Sequence, residues 1–120
     1  MANRGSPVLV VDDDLELLRV LEDAVELLGH TPRIARNTEQ AIALLETLPP
    51  CLVLLDSIAP SDSGEDFRAA LRRRHDADQF RVALMSGWPR REGMERLPLV
   101  ATLQKPFELS VLRALLDEHA

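Results

Sequence analysis

Five short apolar segments recur along the chain, and all but the fourth are followed by a stretch in which apolar residues return every three or four positions. The apolar segments are 8–11, 31–36, 52–56, 80–85 and 99–103. Short apolar runs bounded by turn residues are typical of buried strands, whereas the longer spacing is typical of amphipathic helices. The pattern therefore predicts five strands that alternate with five helices.

Five helices are predicted, and all but the fourth, which Gly93 and Pro98 weaken, carry an apolar stripe on one face. They span 15–28, 39–48, 65–74, 88–98 and 109–119. Leu15 begins the stripe of the first helix, and either Asp13 or Asp14 serves as its N-cap. Leu109 begins the stripe of the last helix. The third helix ends in Arg72-Arg73-Arg74, which we interpret as a solvated cationic turn that complements the helix dipole.

The second apolar segment differs from the others because it carries Pro32, Arg33 and Arg36. Proline and charge fit an edge strand better than a central one. The other strands are apolar throughout, as in a parallel sheet that is covered by helices on both faces. With right-handed crossovers, these constraints predict an α/β fold with a doubly wound five-stranded parallel sheet, flavodoxin-like (βα)5, in the strand order 2-1-3-4-5.

Polar side chains that can carry chemistry follow four of the predicted strands. Asp12 and Asp13 follow the first strand, Asp56 ends the third, Ser86 follows the fourth and Lys105 follows the fifth. Open α/β sheets bind ligands in the crevice outside the carboxyl ends of their strands, where the strand order reverses. We therefore expect these five residues to converge on one site beside the first and third strands.

The chemistry of these residues points to phosphoryl transfer. Carboxylates held close together repel one another unless a cation lies among them, and oxygen ligands on an open site suit Mg²⁺. An aspartate such as Asp56 can act as a nucleophile and form an acyl phosphate. Lys105 can hold one phosphoryl oxygen as a point charge, and Ser86 can donate a hydrogen bond to another.

Each residue also has a simpler explanation. Asp12 and Asp13 could serve as nothing more than helix caps, and Asp56 could be a simple turn residue at the end of a strand. Ser86 could lie in a plain loop, and Lys105 could be a surface cation beside a turn proline. The joint placement of all five at the carboxyl ends of strands favours one shared site over five separate structural roles.

The candidate residues lie in four motifs: LVVDDD at the acidic pair, VLLDSIAPSDSG at Asp56, LMSG at Ser86 and QKPF at Lys105. With these motifs the chain resembles the CheY-like receiver domains of bacterial two-component response regulators. The resemblance runs from Val8 to near the C-terminus. It implies a single receiver domain over residues 1–120, acting in a two-component phosphorelay.

The resemblance also implies a Mg²⁺ site and a phosphoacceptor. The metal ligands would be the carboxylates of Asp12, Asp13 and Asp56 and the backbone carbonyl of Ile58. Asp56 would accept a phosphoryl group from the phosphohistidine of a cognate histidine kinase or phosphotransfer protein. The domain would then be a signalling module and not a turnover enzyme, since it would catalyse only its own phosphorylation and slow dephosphorylation.

The same resemblance assigns the remaining site residues. Ser86 and Lys105 would bind the phosphoryl group, and the Lys105–Pro106 bond is often cis in similar domains. An alternative of the same fold is a pseudo-receiver, which is never phosphorylated and acts as a protein interaction module. An aspartate-based phosphatase is disfavoured, because it needs a second acid two residues after the nucleophile, where Ile58 stands.

The chain departs from the family in the segment that leads to Lys105. Thr102 stands where Tyr or Phe is usual, three residues before the lysine, and the segment between Ser86 and Lys105 is shorter than in many relatives. The surface formed by the predicted fourth helix, fifth strand and fifth helix would bind an output domain or a partner. We expect that surface to behave unusually.

Composition and charge argue against several classes of partner and location. The net charge of −6 argues against nucleic acid as a direct partner. Cys51 is the one cysteine, so an internal disulfide is excluded, and its apolar surroundings predict a buried, unreactive thiol. No apolar stretch reaches the roughly 20 residues of a membrane span, and the N-terminus lacks a signal-peptide core. We expect a cytoplasmic protein that binds no membrane and is a monomer or a phosphorylation-dependent dimer.

Overall fold

Five strands form one parallel sheet in the computed structural model, which describes residues 5–56, 61–86 and 99–120 and only the backbone of 61–66 and 86. The strands are β1 (Pro7–Val11), β2 (Thr31–Ala35), β3 (Leu52–Asp56), β4 (Arg81–Ser86) and β5 (Leu99–Gln104). Their order across the sheet is β2-β1-β3-β4-β5, and every neighbouring pair is parallel. The predicted doubly wound topology is confirmed, with the proline-bearing strand at one edge.

Four α-helices connect or follow these strands within the described ranges. They are α1 (Leu15–Leu27), α2 (Thr38–Thr47), α3 (Ser61–Arg72) and α4 (Leu109–His119), and a short 3₁₀ helix at Ala77–Gln79 precedes β4. The helix α4 corresponds to the fifth predicted helix, because the fourth, predicted over 88–98, lies outside the described residues.

The third helix begins four residues earlier than predicted. The sequence predicted a start at residue 65, but the helix starts at Ser61 and runs through Gly64. Glycine within a helix costs only about 1 kcal/mol relative to alanine. The packing of Phe67 and Leu71, both fully buried against the sheet, offsets that cost. The 3₁₀ turn that follows was not predicted.

Side-chain caps fix where the first two helices begin. The carboxylate of Asp14 accepts a hydrogen bond from the backbone N–H of Leu17 (3.2 Å), which selects Asp14 over Asp13 as the N-cap of α1. Asn37 caps α2 by accepting from the N–H of Gln40 (2.9 Å), whose side-chain oxygen accepts in turn from the N–H of Arg36 (2.9 Å). Such reciprocal capping satisfies backbone donors that the helix itself leaves unpaired.

The helices bury their apolar stripes on opposite faces of the sheet. Leu18 and Val25 of α1 and Leu112 of α4 share one cluster, whereas Leu45 of α2 and Phe67 of α3 belong to the other. This arrangement covers both faces of the apolar strands, as a parallel sheet requires. The core therefore holds the carboxyl ends of β1 and β3 side by side.

Two predicted stripe residues are exposed instead. Leu15 is 38% exposed and Leu109 is 51% exposed, and each is the first residue of its helix. Side chains on a helix lean toward its N-terminus, so the side chain of the first residue points past the helix end and not onto the sheet.

An ion pair lies at the amino-terminal edge of the sheet, which is the side on which the strands begin. It corrects the interpretation of the run Arg72-Arg73-Arg74. Arg74 donates to both oxygens of Asp76 (2.7 and 2.9 Å) and to the backbone carbonyl of Leu45 (2.7 Å). Its guanidinium lies 4.9 Å from the centre of the Phe80 ring. The hydrogen bonds from Arg74 lower the pKa of Asp76 despite the opposing effect of burial. Arg74 is therefore a structural anchor and not part of a solvated turn.

Cys51 lies buried next to the start of β3. Burial raises the pKa of its thiol to about 11, although the nearby positive charges of Arg81 and Arg74 act in the opposite direction. The prediction of a buried, unreactive thiol is therefore supported, since the thiolate is the reactive form. Among the described residues, no helix has the length and apolar character needed to cross a membrane.

Candidate functional site

The carboxyl ends of β1 and β3 bring three aspartates together. The register that pairs Val11 with Leu55 places Asp12 beside Asp56, one residue beyond each partner. Both of these aspartates are buried, with 2% and 4% exposure, whereas Asp13 is exposed. Carboxylate oxygens of the three residues all lie within 4.8 Å of one another. The structure thus brings together the three aspartates that the sequence pattern placed at one site.

Lys105 reaches this cluster from the end of β5. Its Nζ atom lies 2.6 Å from Oδ2 of Asp12 and 3.5 Å from Oδ1 of Asp56. Burial acts to lower the pKa of Lys105, but the hydrogen bond to Asp12 and the charges of Asp56 and Asp12 outweigh it, so the pKa is raised. The Lys105–Pro106 peptide bond is cis, as the family resemblance implied.

Asp12 is held at both of its carboxylate oxygens. Oδ1 accepts a hydrogen bond from the backbone N–H of Asp14 (2.9 Å), and Oδ2 accepts from Lys105. Asp14 in turn caps α1 through its own side chain. The acidic triplet is therefore divided: Asp12 points into the site, Asp14 starts the helix, and Asp13 lies at the exposed rim. This role of the Asp14 backbone was missed from the sequence, although its side chain was named as a possible cap.

The positive and negative charges at this site do not balance. Lys105 brings one positive charge to three carboxylates, two of which are buried. Buried carboxylates are costly unless cations or hydrogen bonds compensate them. Hard oxygen ligands on a partly open site are the donor set that Mg²⁺ prefers. The residues of this cluster therefore fit a divalent cation.

Two of the sequence-predicted site residues cannot be placed by their side chains. Ile58 lies outside the described residues, and of Ser86 the structure describes the backbone alone. That backbone ends β4, in register with Gln104, which is the residue before Lys105. The fold thus brings the position of Ser86 to the same edge of the sheet as Lys105.

Thr102 occupies the middle of β5, in register with Leu84 of β4. Its Oγ1 atom is buried and has no hydrogen-bond partner among the residues that the structure describes. Where the family resemblance implied a bulky aromatic residue, this chain therefore carries a small side chain whose hydroxyl is shielded from water.

The family of the chain follows from comparison with known proteins. The family model of the response regulator receiver domain matches residues 8–117, and the chain belongs to this family. The phosphate regulon transcriptional regulatory protein PhoB of Pseudomonas aeruginosa is 35% identical over 69 residues, which are 58% of this chain and 30% of that protein. CpxR of Escherichia coli K12, a transcriptional regulatory protein, is 40% identical over 68 residues, 57% of this chain and 29% of its own. The chain thus matches about a third of the length of these relatives.

Solved structures support the fold independently. The chemotaxis protein CheY4 of Vibrio cholerae superimposes with a TM-score of 0.83 at 18% identity, over 97% of this chain and 99% of the other. The response regulator TrrA of Thermotoga maritima, solved in complex with Mg²⁺ and BeF, gives a TM-score of 0.77 at 21% identity, over 94% and 97% of the two chains. At these identities the likeness establishes the receiver fold.

Proposed function

We propose that this protein is a phosphoacceptor receiver domain, a single domain over residues 1–120, in which Asp56 accepts a phosphoryl group from the phosphohistidine of a cognate histidine kinase or phosphotransfer protein. The observation that carries the proposal is the position of Asp56. It lies buried at the end of the central strand, within 4.8 Å of carboxylate oxygens of Asp12 and Asp13 and 3.5 Å from Nζ of Lys105. The family supports a role in two-component signalling.

The proposed transfer is a single displacement at phosphorus. A carboxylate oxygen of Asp56 forms a bond to phosphorus while the phosphorus–nitrogen bond to the donor imidazole breaks. The electron pair of that bond stays on the imidazole, which takes up a proton, and an acyl phosphate remains on Asp56. Such a reaction depends on positioning and on charge neutralisation more than on acid or base groups.

Each neighbouring residue has a part in that neutralisation. Asp12, Asp13, Asp56 and the backbone carbonyl of Ile58 would hold Mg²⁺, whose charge offsets that of the phosphoryl oxygens. Lys105 holds a phosphoryl oxygen through its ammonium group, which stays charged at neutral pH because the contacts with Asp12 and Asp56 outweigh the effect of burial on its pKa. Ser86 donates a hydrogen bond to another phosphoryl oxygen.

The product is a signal and not a released compound. Phosphorylated receiver domains act through surfaces that change with the new charge and its contacts. We propose a cytoplasmic signalling module whose output is exerted on a partner or on an attached output domain, at the surface around β5 and α4. Its own catalysis is limited to its phosphorylation and slow dephosphorylation. It acts as a monomer or as a phosphorylation-dependent dimer.

Intact-protein mass spectrometry tests the proposal. The protein is incubated with acetyl phosphate and Mg²⁺, and a gain of one phosphoryl group is expected. Asp56→Asn should show no gain, whereas the matched variant Asp23→Asn, at an exposed position of α1, should gain as the wild type does. A wild-type protein that never gains mass, with acetyl phosphate or with a phosphorylated histidine donor, would be a pseudo-receiver instead.

A further inference from the structure

We propose that Asp14 is a positioning residue that sets the preference of the acidic cluster, Asp12, Asp13 and Asp56, for Mg²⁺ over larger divalent cations. Its side chain caps α1, and its backbone N–H holds the carboxylate of Asp12. The inference rests on the proposed function, because it assumes that the cluster binds Mg²⁺. It adds to that function a residue that would contact neither the cation nor the phosphoryl group.

Three hydrogen bonds fix Asp14 between the helix and the cluster. On the helix side, its carboxylate accepts from the N–H of Leu17 (3.2 Å) and its backbone carbonyl accepts from the N–H of Leu18 (2.9 Å). On the other side, its own N–H donates to Oδ1 of Asp12 (2.9 Å). The backbone of Asp14 is extended, with φ −83° and ψ 103°, which is the conformation that an N-cap residue adopts. The direction of the N–H that holds Asp12 therefore depends on the cap.

The core of the protein holds the helix end to which Asp14 is bound. Leu18 and Leu21, in the first two turns of α1, are only 1% and 3% exposed and pack in the cluster that covers one face of the sheet. The other partner of Asp12 is the ammonium group of Lys105, which ends a flexible side chain. The N–H of Asp14 is thus the more rigid of the two hydrogen bonds that orient the carboxylate of Asp12.

The orientation of a carboxylate ligand matters more to Mg²⁺ than to Ca²⁺. Mg²⁺ requires nearly octahedral geometry with ligand distances of about 2.0–2.1 Å, whereas Ca²⁺ accepts about six to eight ligands at about 2.3–2.6 Å in flexible arrangements. A carboxylate that is free to turn therefore loses more affinity for Mg²⁺ than for Ca²⁺. The groups that orient a metal ligand commonly account for roughly tenfold or more in affinity. The cap of α1 thus favours the smaller ion.

The negative charge of Asp14 gives a second way to affect the cluster, and it can be separated from the cap. Asp14 is exposed, so solvent and salt screen its attraction for a cation. That attraction acts on Mg²⁺ and Ca²⁺ alike, because the two ions carry the same charge. A change in the ratio of the two affinities therefore reports the geometry of the site and not its charge.

Calorimetric titration of Asp14 variants with Mg²⁺ and with Ca²⁺ tests the proposal. Asp14→Ala and Asp14→Gly remove the side-chain acceptor, and glycine at an N-cap costs much less stability than alanine. We expect both variants to bind Mg²⁺ roughly tenfold more weakly than the wild type and Ca²⁺ within about threefold of it. Asp14→Ser and Asp14→Asn remove the charge but keep an oxygen that can cap the helix. They should retain the ratio of the two affinities within about twofold.

The cap of α2 provides a matched control. Asn37 accepts from the N–H of Gln40 (2.9 Å), so Asn37→Ala removes the same kind of hydrogen bond from a helix whose cap does not contact the cluster. Thermal unfolding without divalent cations measures how much stability each variant loses. We expect Asn37→Ala to be destabilised to a similar extent as Asp14→Ala and to keep the wild-type affinities for both ions.

The outcomes separate this proposal from the one on which it rests. Wild-type affinities for Mg²⁺ and Ca²⁺ in both Asp14→Ala and Asp14→Gly would overturn the positioning role and leave the metal site intact. A ratio that falls as far in Asp14→Ser and Asp14→Asn, or in Asn37→Ala, would also overturn it, because the loss would then not follow from the cap of α1. A wild-type protein that binds no Mg²⁺ at millimolar concentrations would overturn both proposals.

Discussion

Two ion pairs lie on opposite sides of the same sheet, one where the strands begin and one where they end. They differ in the balance of positive and negative charge around them. At the amino-terminal edge, Arg74 and Asp76 meet at 2.7 Å. At the carboxyl edge, Lys105 and Asp12 meet at 2.6 Å. The distances are almost the same, so distance alone does not distinguish a structural ion pair from a functional one.

The balance of charges does distinguish them. At the amino-terminal edge, one guanidinium faces one carboxylate. Arg74 donates two hydrogen bonds to Asp76 and a third to the backbone carbonyl of Leu45. At the carboxyl edge, one ammonium faces Asp12, Asp56 and, close by, Asp13. A balanced pair ties secondary structure together, whereas an excess of buried negative charge attracts a further cation.

The largest effect should come from removing the acceptor carboxylate. Asp56→Asn replaces the nucleophilic oxygen with an amide, so we expect complete loss of phosphorylation by acetyl phosphate. The fold should persist, because the amide has nearly the same shape and one carboxylate fewer is left in a crowded cluster. Phosphorylation is read by intact mass spectrometry, and folding by circular dichroism.

The amino-terminal edge provides the control for that loss. Arg74→Gln disturbs the balanced pair and should leave the rate of phosphorylation unchanged, because the anchor lies at the other end of the strands. Labelling that continues at the wild-type rate in Asp56→Asn would show that the acceptor is another residue.

The second effect concerns Mg²⁺. A ligand that binds only the folded state stabilises it, by about 2.7 kcal/mol when its concentration is 100 times the dissociation constant. We expect Mg²⁺ to raise the midpoint of thermal unfolding of the wild type. Asp13→Ala should weaken binding by at least roughly tenfold, since changes in the outer shell of metal sites alone cost that much. The shift is measured by scanning calorimetry.

Asp13 suits this test because it is exposed, so its removal leaves the core unchanged. The matched control is Asp78→Ala, at an exposed position of the 3₁₀ helix near the opposite edge. An equal rise of the unfolding midpoint in Asp13→Ala and in the wild type would exclude Asp13 as a ligand.

The two edges also show what the sequence could and could not predict. The apolar segments predicted the sheet order, and the sheet order brought Asp12 to Asp56. The choice of Asp12 over Asp56 by Lys105 could not be predicted, because the residues lie 93 positions apart and the choice depends on differences of about an ångström. Asp76 lies only two residues from Arg74, yet the pair was missed because a run of arginines is usually solvated.

The third effect is a loss of stability without a loss of function. Arg74→Gln breaks the contacts to Asp76 and deprives the carbonyl of Leu45 of its donor, so we expect the free energy of unfolding to fall by about 1–2 kcal/mol. The adjacent Arg73→Gln, at an exposed position, should change it by less than about 0.5 kcal/mol. Urea unfolding at neutral pH measures both. Equal stability of the two variants would show that the contacts of Arg74 do not contribute to the free energy of unfolding.

The smallest effect is the dependence of the balanced pair on pH. The hydrogen bonds from Arg74 lower the pKa of Asp76 below its usual value of 3.8, so the folded protein holds this carboxylate's proton more weakly than the unfolded chain does. The stabilisation is therefore fully present above the usual value and is lost as the pH falls through the lowered one.

Urea unfolding of the wild type and of Asp76→Asn should show a constant difference in free energy from pH 7 to about 5, and a shrinking difference at more acidic pH. Taking the difference between these two proteins cancels the titration of the other carboxylates, including those of the unbalanced cluster. The same comparison in an Arg74→Gln background should lose most of its dependence on pH, since the largest cause of the lowered pKa is gone. A difference that stays constant through the acid range in the presence of Arg74 would mean that the pair contributes by its shape and not by its charge.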